Sequence, residues 1–291
     1  MIRANFDYAA PTSVEDAVAM LGGGTEGRVL AGGQSLLTDL KLGRVRPELV
    51  VDLRRVPGLQ DIESTGGNLR LGAMITIDAL ADTGALASGP EALVDVVSVF
   101  ADPQVRNRAT LGGALANATP GADLPAVALA CGATVDLVGP DGARTAPVEE
   151  SFWEPPPAGP GPAEIIVAAT FPIAEAGTGS AYAKVAHPGS GYAVCGVAAL
   201  VALGPDGTVS RCRVAAAGAG PGAVRLPAVE AALTGTAPGA EDLAAAANVS
   251  DPGITLLSDA AAPAEYRAHL ITVLAARALH GAAERARRTP A

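Results

Sequence analysis

The sequence predicts a chain of the α+β class in two domains. Segments with strand periodicity and segments with helical periodicity follow each other without regular alternation, above all in the C-terminal part. The 291 residues, of which 49% are apolar, are enough for one large domain or for two to three small ones. A segment rich in glycine and alanine at residues 174–181 is typical of a linker. We therefore place the domain boundary near residue 176.

Charge and composition disfavour several classes of partner and site. With 20 basic and 30 acidic residues the formal net charge is −10, whereas nucleic-acid binding requires a clustered positive surface. No run approaches the roughly 18 to 20 apolar residues of a membrane helix, and the N-terminus lacks the apolar core of a secretory signal, so we expect a cytoplasmic protein. Cys131, Cys195 and Cys212 lack C-x-x-C spacing, which favours small core residues over a disulfide, a zinc site or an iron–sulfur cluster.

The first elements follow from capping and apolar spacing. A cap at Thr12 or Ser13 and acidic residues in the first turn predict a helix at 13–21 that ends at glycines 22–24. Glycines 22–27 spell G-x-G-x-x-G, but they follow a helix and not a strand, so we reject a dinucleotide site there. The next predicted elements are a strand at 29–30, a helix at about 36–42, strands at 49–56 and 68–76, and helices at 77–86 and 90–100.

Beyond residue 126 a helix passes into a strand and a hairpin turn at Gly142. Residues 154–163 are so rich in proline and glycine that we expect a surface loop. The motif Gly218-x-Gly220 follows a strand, but Pro221 and the late helix start favour a plain turn over a dinucleotide turn. The remaining predicted elements are strands at 164–173, 181–186, 192–203 and 208–220, a turn at 204–207, and helices at 226–233, 239–247 and 263–288.

Two glycine-rich segments are candidates for binding a ligand. Residues 31–35 lie between a strand and a helix, where several backbone N–H groups can face one anion, although an ordinary turn explains them equally well. Residues 101–126 combine glycine, proline and polar side chains, which suit neither helix nor strand, so we expect a loop there. The loops at 31–35 and 110–113 could bind a diphosphate cofactor between them, with Asp123 accepting hydrogen bonds from its sugar hydroxyls. Residues 102–108 would brace the second loop by salt bridges and hydrogen bonds.

Five motifs, in order and covering about residues 4–285, resemble one family. They are AGGQSLL, LGAMIT, DPQVRNRATLGG with the following P-x-x-D-L-P-A run, YAKVAHPGSGYAVCGVAA and PAEYRAHL. Together they are similar to the flavoprotein subunit of molybdenum hydroxylases, the family of xanthine dehydrogenase and aerobic carbon monoxide dehydrogenase. The resemblance implies an FAD-binding domain of the vanillyl-alcohol-oxidase (PCMH) type at 1–176, with subdomains at about 1–56 and 57–176, followed by a smaller α+β domain at 177–291.

The resemblance also implies a set of cofactor-binding residues. Both glycine loops would hold the FAD diphosphate, Asp123 would contact its sugar-alcohol part, and Tyr192 would lie beside the isoalloxazine ring. No catalytic acid, base or metal ligand is expected on this chain. Two positions depart from the family: Ala114 replaces the usual asparagine and Gly191 a common aspartate. The implied residues are Val29, Leu30, Ala31, Gly32, Gly33, Gln34, Ser35, Leu36, Thr76, Thr110, Leu111, Gly112, Gly113, Ala114, Asp123, Ile166, Lys184 and Tyr192.

The implied function is electron transfer within a complex. A large partner subunit would oxidise the substrate at a molybdenum cofactor, and a small subunit with two [2Fe–2S] clusters would pass the electrons to FAD on this chain. The assembly would be a cytoplasmic dimer of heterotrimers, peripheral to a membrane if its electron acceptor is there. The motifs favour the carbon monoxide dehydrogenase branch but leave the substrate and the acceptor open.

Alternatives to these readings also stay open. The chain could be a stand-alone FAD reductase or oxidase, or an interaction domain without cofactor. His187 could meet the flavin or a partner, but a surface-loop histidine is favoured. Lys184 could act near the cofactor or simply be a solvated strand residue. His269 and His280 are interpreted as structural.

Overall fold

The computed structural model describes residues 5–151, 161 and 163–288. These residues form three β-sheets with helices packed on them. None of the helices within these ranges is long and apolar enough to cross a membrane. The predicted surface loop at 154–163 falls almost entirely outside the described residues.

The first sheet is parallel and is connected through helices, as parallel strands require. Its strand order is β1-β3-β2. The elements are β1 (Asp7–Ala9), α1 (Val14–Leu21), β2 (Gly27–Leu30), α2 (Leu36–Leu42) and β3 (Leu49–Asp52). Helix α1 begins as predicted, because the Ser13 hydroxyl accepts a hydrogen bond from the Asp16 N–H at 3.1 Å. Leu30 pairs with Asp52, so the segment that follows β2 leaves from the carboxyl edge of this sheet.

The second sheet is antiparallel, with strand order β4-β5-β8-β6-β7. Its strands are β4 (Ile62–Thr65), β5 (Asn68–Gly72), β6 (Thr134–Gly139), β7 (Gly142–Pro147) and β8 (Ile165–Pro172). The accompanying helices are α3 (Ile77–Asp82), α4 (Glu91–Ser98), α5 (Pro103–Arg106), α6 (Leu111–Asn117), α7 (Asp123–Cys131) and α8 (Val148–Ser151). Every residue of α7 is buried. A helix that is apolar on all sides requires partners on all sides, and α7 packs against both the second and the third sheet.

The third sheet is antiparallel, with strand order β12-β11-β10-β9. Its elements are β9 (Thr178–Ala186), β10 (Ala193–Leu203), β11 (Val209–Ala217), β12 (Val224–Arg225), α9 (Pro227–Leu233), α10 (Ala240–Ala247) and α11 (Ala264–Arg288). Helices α7 and α11 both contact the sheet, so every residue of strand β10 except the last is buried. The sheet therefore has two apolar faces, each covered by a helix.

Polar contacts reinforce this junction between the second and third sheets. The Arg285 guanidinium on α11 forms two hydrogen bonds with the Asp95 carboxylate on α4, at 2.6 and 2.9 Å. The Ser180 hydroxyl on β9 accepts from the Ala92 N–H at 3.0 Å and donates to Glu91 at 3.1 Å. Paired, partly buried charges of this kind favour one relative orientation of the packed elements.

The structure confirms most predicted elements and corrects several boundaries; the helix predicted at 77–86 ends at Asp82, and the strand predicted at 208–220 ends at Ala217. The strand predicted at 49–56 ends at Asp52, whose carboxylate accepts from the Arg54 N–H at 2.9 Å and thereby begins a 3₁₀ turn. The strand predicted at 68–76 ends at Gly72, after which the Met74 N–H donates to Leu59 O at 2.7 Å instead of to a neighbouring strand. The linker predicted at 174–181 is shorter, because β9 already pairs with β10 from Thr178. The segment after Gly218 is a plain turn that leads to β12, as predicted.

The three cysteines are buried and free, which confirms their interpretation as core residues. Burial raises the pKa of the thiols of Cys131, Cys195 and Cys212 to about 12 each. A thiol with this pKa is almost entirely protonated near pH 8, and the thiolate is the reactive form.

We predict that the native chain reacts with a thiol-specific reagent at pH 8 at least about a hundredfold more slowly than the unfolded chain, because the folded thiols are both inaccessible and protonated. Time courses with a chromogenic disulfide reagent, in buffer and in strong denaturant, measure this ratio. Three thiols should react promptly after unfolding, and one fast native thiol would contradict the burial of all three.

Candidate cofactor-binding site

The two glycine segments predicted to bind a ligand lie against each other. A Cβ atom placed on Gly32 would lie 2.0 Å from the carbonyl oxygen of Arg108 and 3.1 Å from the Cα of Ala109. A Cβ placed on Gly113 would lie 3.6 Å from the Cβ of Ala31. The connection after β2 and the start of α6 therefore lie side by side, which sequence spacing alone could not show.

The segment 31–35 offers unused hydrogen-bond donors. Among the described residues, none provides an acceptor for the backbone N–H groups of Gly32, Gly33, Gln34 or Ser35. Gly33 has φ +77°, a conformation that side chains rarely adopt and that turns the backbone sharply between β2 and α2. Four unbonded N–H groups in succession, on residues that are not buried, suit a ligand with several anionic oxygens.

The stretch expected to be a loop is largely helical, which corrects that prediction. Asp102 caps α5 by accepting from the Val105 N–H at 2.8 Å, and Thr110 caps α6 by accepting from the Gly113 N–H at 3.2 Å. The hydrogen bonds of these caps offset the loss of helix stability that the glycines cause. Gly112 is needed where it lies, because a Cβ there would be 2.5 Å from the Cβ of Ala73.

The start of α6 therefore contributes few free donors. The Leu111 N–H donates to Ile75 O at 3.0 Å and the Gly112 N–H to Ala73 O at 2.8 Å. With the Gly113 N–H on its own cap, three of the four backbone donors expected at 110–113 are used within the chain, and only the Thr110 N–H has no acceptor among the described residues. Segment 31–35 remains as the donor segment of the site.

The sequence also predicts that salt bridges and hydrogen bonds brace residues 102–108, and the structure contains such hydrogen bonds. Arg106 Nη1 donates to the carbonyl oxygens of Phe100 and Ala101, at 3.1 and 3.3 Å. Together with the Asp102 cap, these bonds fix the chain immediately before α6.

The other end of α6 carries two further groups. The Thr119 hydroxyl oxygen is buried and has no hydrogen-bond partner among the described residues. Two residues further, a Cβ placed on Gly121 would lie 3.2 Å from the Cβ of Tyr192, and the Gly121 carbonyl accepts a hydrogen bond from the Ala193 N–H at 3.0 Å. Tyr192 is 42% exposed. Helix α6 is about 10 Å long, from a rise of 1.5 Å per residue, and lies between segment 31–35 at its start and the connection to Gly121 and Tyr192 at its end.

Asp123 lies at the start of α7 in a buried cluster. Its two carboxylate oxygens accept from the Tyr182 hydroxyl at 2.6 Å and from Lys184 Nζ at 2.7 Å. The side chain of Lys184 is only 2% exposed, so its interpretation as a solvated strand residue is wrong. Tyr182 was not among the predicted residues, because its spacing of two from Lys184 indicates only that both share one face of β9.

Burial dominates the protonation equilibria of this cluster. It raises the pKa of the Asp123 carboxyl, against the opposing effects of the Lys184 ammonium and the Tyr182 hydroxyl. Burial and the adjacent carboxylate also raise the pKa of the Tyr182 phenol well above its usual value. Tyr182 therefore stays a neutral hydrogen-bond donor.

The other predicted residues lie at varying distances from this centre. Thr76 caps α3 and forms a bridge with Thr110, which places it at the start of α6. Ala114 follows in the first turn of α6 and is partly exposed. Ile166 is 5% exposed and packs in the core of the second sheet. The remaining residues, Val29, Leu30 and Leu36, flank the donor segment on β2 and α2.

The histidines have local roles. His187 Nδ1 accepts from the N–H groups of Gly189 and Ser190, at 3.2 Å each, and so closes its own surface turn. His280 lies 3.5 Å from Glu284 on the same helix. Within the described residues no group of three or more His, Cys, Asp or Glu side chains could hold a metal ion.

Two family models together match almost the whole chain. The FAD binding domain in molybdopterin dehydrogenase matches residues 4–174, and the CO dehydrogenase flavoprotein C-terminal domain matches residues 180–282.

Similar proteins include subunits of bacterial dehydrogenase complexes. The 6-hydroxypseudooxynicotine dehydrogenase complex subunit alpha of Paenarthrobacter nicotinovorans is 34% identical, over 98% of this chain and 97% of its own length. The carbon monoxide dehydrogenase medium chain of Hydrogenophaga pseudoflava is 35% identical, over 97% of this chain and 98% of its own. A solved structure of the carbon monoxide dehydrogenase from H. pseudoflava, which lacks the Mo-pyranopterin moiety of the molybdenum cofactor, contains a chain with TM-score 0.92 and 36% identity, covering 98% of this chain and 99% of that one.

We predict that Gly32→Ala lowers the free energy of unfolding by about 1–3 kcal/mol, because the added methyl group would overlap the Arg108 carbonyl and separate the two segments. Urea denaturation followed by circular dichroism measures the change. Gly253→Ala is the matched control, since a Cβ there meets no atom within 4 Å. An equal effect of both substitutions would contradict the close approach at Gly32.

Proposed function

This chain belongs to the FAD-binding flavoprotein subunits of the molybdenum hydroxylase family, and we propose that it is the electron-transfer subunit of a carbon monoxide dehydrogenase-like complex. Electrons would arrive from [2Fe–2S] clusters on a partner and leave for an external acceptor. The flavin supplies the redox chemistry, while the protein binds and orients it. The residues of this chain therefore act by binding and positioning.

One observation carries the placement of FAD: the order of the binding groups along α6 matches the order of the chemical groups in the cofactor. The unused N–H groups of segment 31–35 suit the diphosphate, the unpartnered Thr119 hydroxyl suits the ribityl chain, and the exposed Tyr192 ring suits the isoalloxazine. The three groups follow one another in this order from the start of α6 to the connection that follows it. Thr76 and the residues of the first turn of α6 would line the diphosphate end.

Asp123 fits this arrangement in a modified role. A carboxylate has about four acceptor positions, of which Tyr182 and Lys184 use two. We propose that a remaining lone pair accepts a hydrogen bond from a cofactor hydroxyl, while the two intrachain bonds fix the orientation of the carboxylate. Lys184 and Ile166 would support the site without contacting the cofactor.

The names of the relatives support a complex. One is a subunit alpha and another a medium chain, each of a dehydrogenase. We propose a large subunit with the molybdenum cofactor and a small subunit with two [2Fe–2S] clusters as partners, assembled in the cytoplasm as a dimer of heterotrimers. Relatives at 34% and 35% identity are named for different substrates, so the substrate would be selected by the large subunit.

We also propose the domain division at residue 176. The two matched family models end and begin on either side of this position, at 174 and 180. The subdomains at about 1–56 and 57–176 would correspond to the first and second sheets.

The purified chain tests the cofactor assignment directly. We expect flavin absorption bands after purification or after incubation with FAD, and their absence would overturn the FAD assignment. Co-expression with the candidate large and small subunits should yield one complex by size-exclusion chromatography. A chain that elutes alone and oxidises or reduces a substrate by itself would instead support the stand-alone reductase or oxidase.

We predict that Thr119→Val has opposite effects on the free and the FAD-bound chain. Without FAD, removal of a buried hydroxyl that has no partner should raise the free energy of unfolding by about 1 kcal/mol. With FAD, loss of a hydrogen bond should raise the Kd by about fivefold. Urea denaturation and isothermal titration calorimetry measure the two quantities.

Thr65→Val is the control for this pair of measurements, because Thr65 is an exposed residue on edge strand β4. It should leave both quantities unchanged within error. If Thr119→Val stabilises the free chain and does not alter FAD affinity, Thr119 does not contact the cofactor.

A further inference from the structure

The ammonium group of Lys184 is fully used inside the chain. Its Nζ donates to Asp123 Oδ2 at 2.7 Å, to Gly191 O at 2.7 Å and to Val99 O at 3.2 Å. A lysine ammonium has three donors, and this side chain is 2% exposed. No donor is left for a ligand, so any effect of Lys184 on the cofactor must be indirect.

The three acceptors of Lys184 lie on three separate segments. Val99 follows α4, Asp123 opens α7, and Gly191 directly precedes Tyr192 in the turn between β9 and β10. The first two segments belong with the second sheet and the third belongs with the third sheet. One buried cation therefore fastens the turn that carries Tyr192 to the part of the chain that carries α6.

The fastened turn is closed and closely packed. The His187 N–H donates to Tyr192 O at 2.7 Å, and the Gly191 N–H donates to His187 O at 2.9 Å. Gly191 has φ +71°, and a Cβ on it would lie 2.9 Å from the Cα of Ala101. The backbone on the N-terminal side of Tyr192 is thus fixed against the α4–α5 connection, while its ring remains accessible.

We propose that Lys184 is a positioning residue that fixes the ring of Tyr192 beside the flavin. The proposal rests on the proposed function, since it takes FAD as the occupant of the site. Its physical basis is preorganisation: a ring already held in place loses little conformational entropy when the flavin binds. Lys184 performs this role through the carbonyl group of Gly191, without touching the cofactor.

Fluorescence of the bound flavin tests the proposal on the full-length chain reconstituted with FAD. Stacking on a tyrosine ring quenches flavin emission, so the emission of bound FAD reports the position of the Tyr192 ring. If Lys184 had only a structural role, its substitution would not alter this emission. The variants are Lys184→Met, Tyr192→Leu and the double substitution. We expect both single variants to raise the emission, and the double variant to add nothing to Tyr192→Leu, because the two residues act as one unit.

FAD affinity should change less than the emission does. We expect the Kd of Lys184→Met to rise by less than about tenfold, or 1.4 kcal/mol, because the donor segment 31–35 is untouched. Lys41→Met is the matched control, since Lys41 is exposed on the last turn of α2. It should leave the emission unchanged.

A second variant keeps the test decisive if Lys184→Met does not fold, since that change leaves Asp123 buried without its cation. Gly191→Ala displaces the same turn, because its methyl group would overlap Ala101, and it leaves the Lys184–Asp123 ion pair intact. Raised emission in Gly191→Ala supports the proposal, and full quenching overturns it.

The remaining outcomes separate this proposal from the proposed function. A wild-type chain that binds no FAD overturns the proposed function itself. Emission that stays quenched in Lys184→Met but rises in Tyr192→Leu overturns only the positioning role of Lys184. Emission unchanged in Tyr192→Leu overturns the placement of the ring beside the flavin, and the positioning role with it.

Discussion

The candidate site depends on one contact between two stretches of backbone. Gly32, at the carboxyl edge of the parallel sheet, lies directly against the carbonyl group of Arg108, at the start of α6. No residue with a side chain fits at that distance. Because of this contact segment 31–35 lies beside the start of α6, although nearly 80 residues separate them. The Thr110 cap and the Asp102 cap then hold the α6 side of the contact in place.

A second constraint is the complete burial of α7. Its residues fill the space between the second and third sheets, so neither sheet has a complete core without the other. Asp123, on the first turn of this helix, is consequently reached by side chains from β9. The same packing brings the Tyr192 turn to the end of α6. The groups proposed to hold the ribityl chain and the ring thus come from elements whose relative positions are set by apolar packing.

Local signals in the sequence predicted local structure well. The Ser13 cap, the apolar spacing of α1 and the glycine turn between β10 and β11 depend on neighbouring residues alone, and each is present. Residues 101–126 were predicted wrongly, because the hydrogen bonds and packing that hold α6 come from Ala73 and Ile75, far away in sequence. The burial of Lys184 was equally inaccessible from sequence, since its acceptors lie on three segments. The resemblance to a family implied a set of site residues, and the structure distinguishes those whose N–H groups are unbonded from those already bonded within the chain.

The polar contacts between α4, β9 and α11 also have a consequence for how this protein can be recombined. Two family models divide the chain near residue 176, which invites the exchange of its halves with those of a relative. Asp95 and Glu91 lie on one side of that division, and their partners Arg285 and Ser180 lie on the other. A chimera joined at the linker would therefore place unmatched polar and charged groups at this contact between the two parts. The two parts match separate family models, but their contact residues depend on each other. A functional exchange must therefore also transfer the contact residues Glu91, Asp95, Ser180 and Arg285.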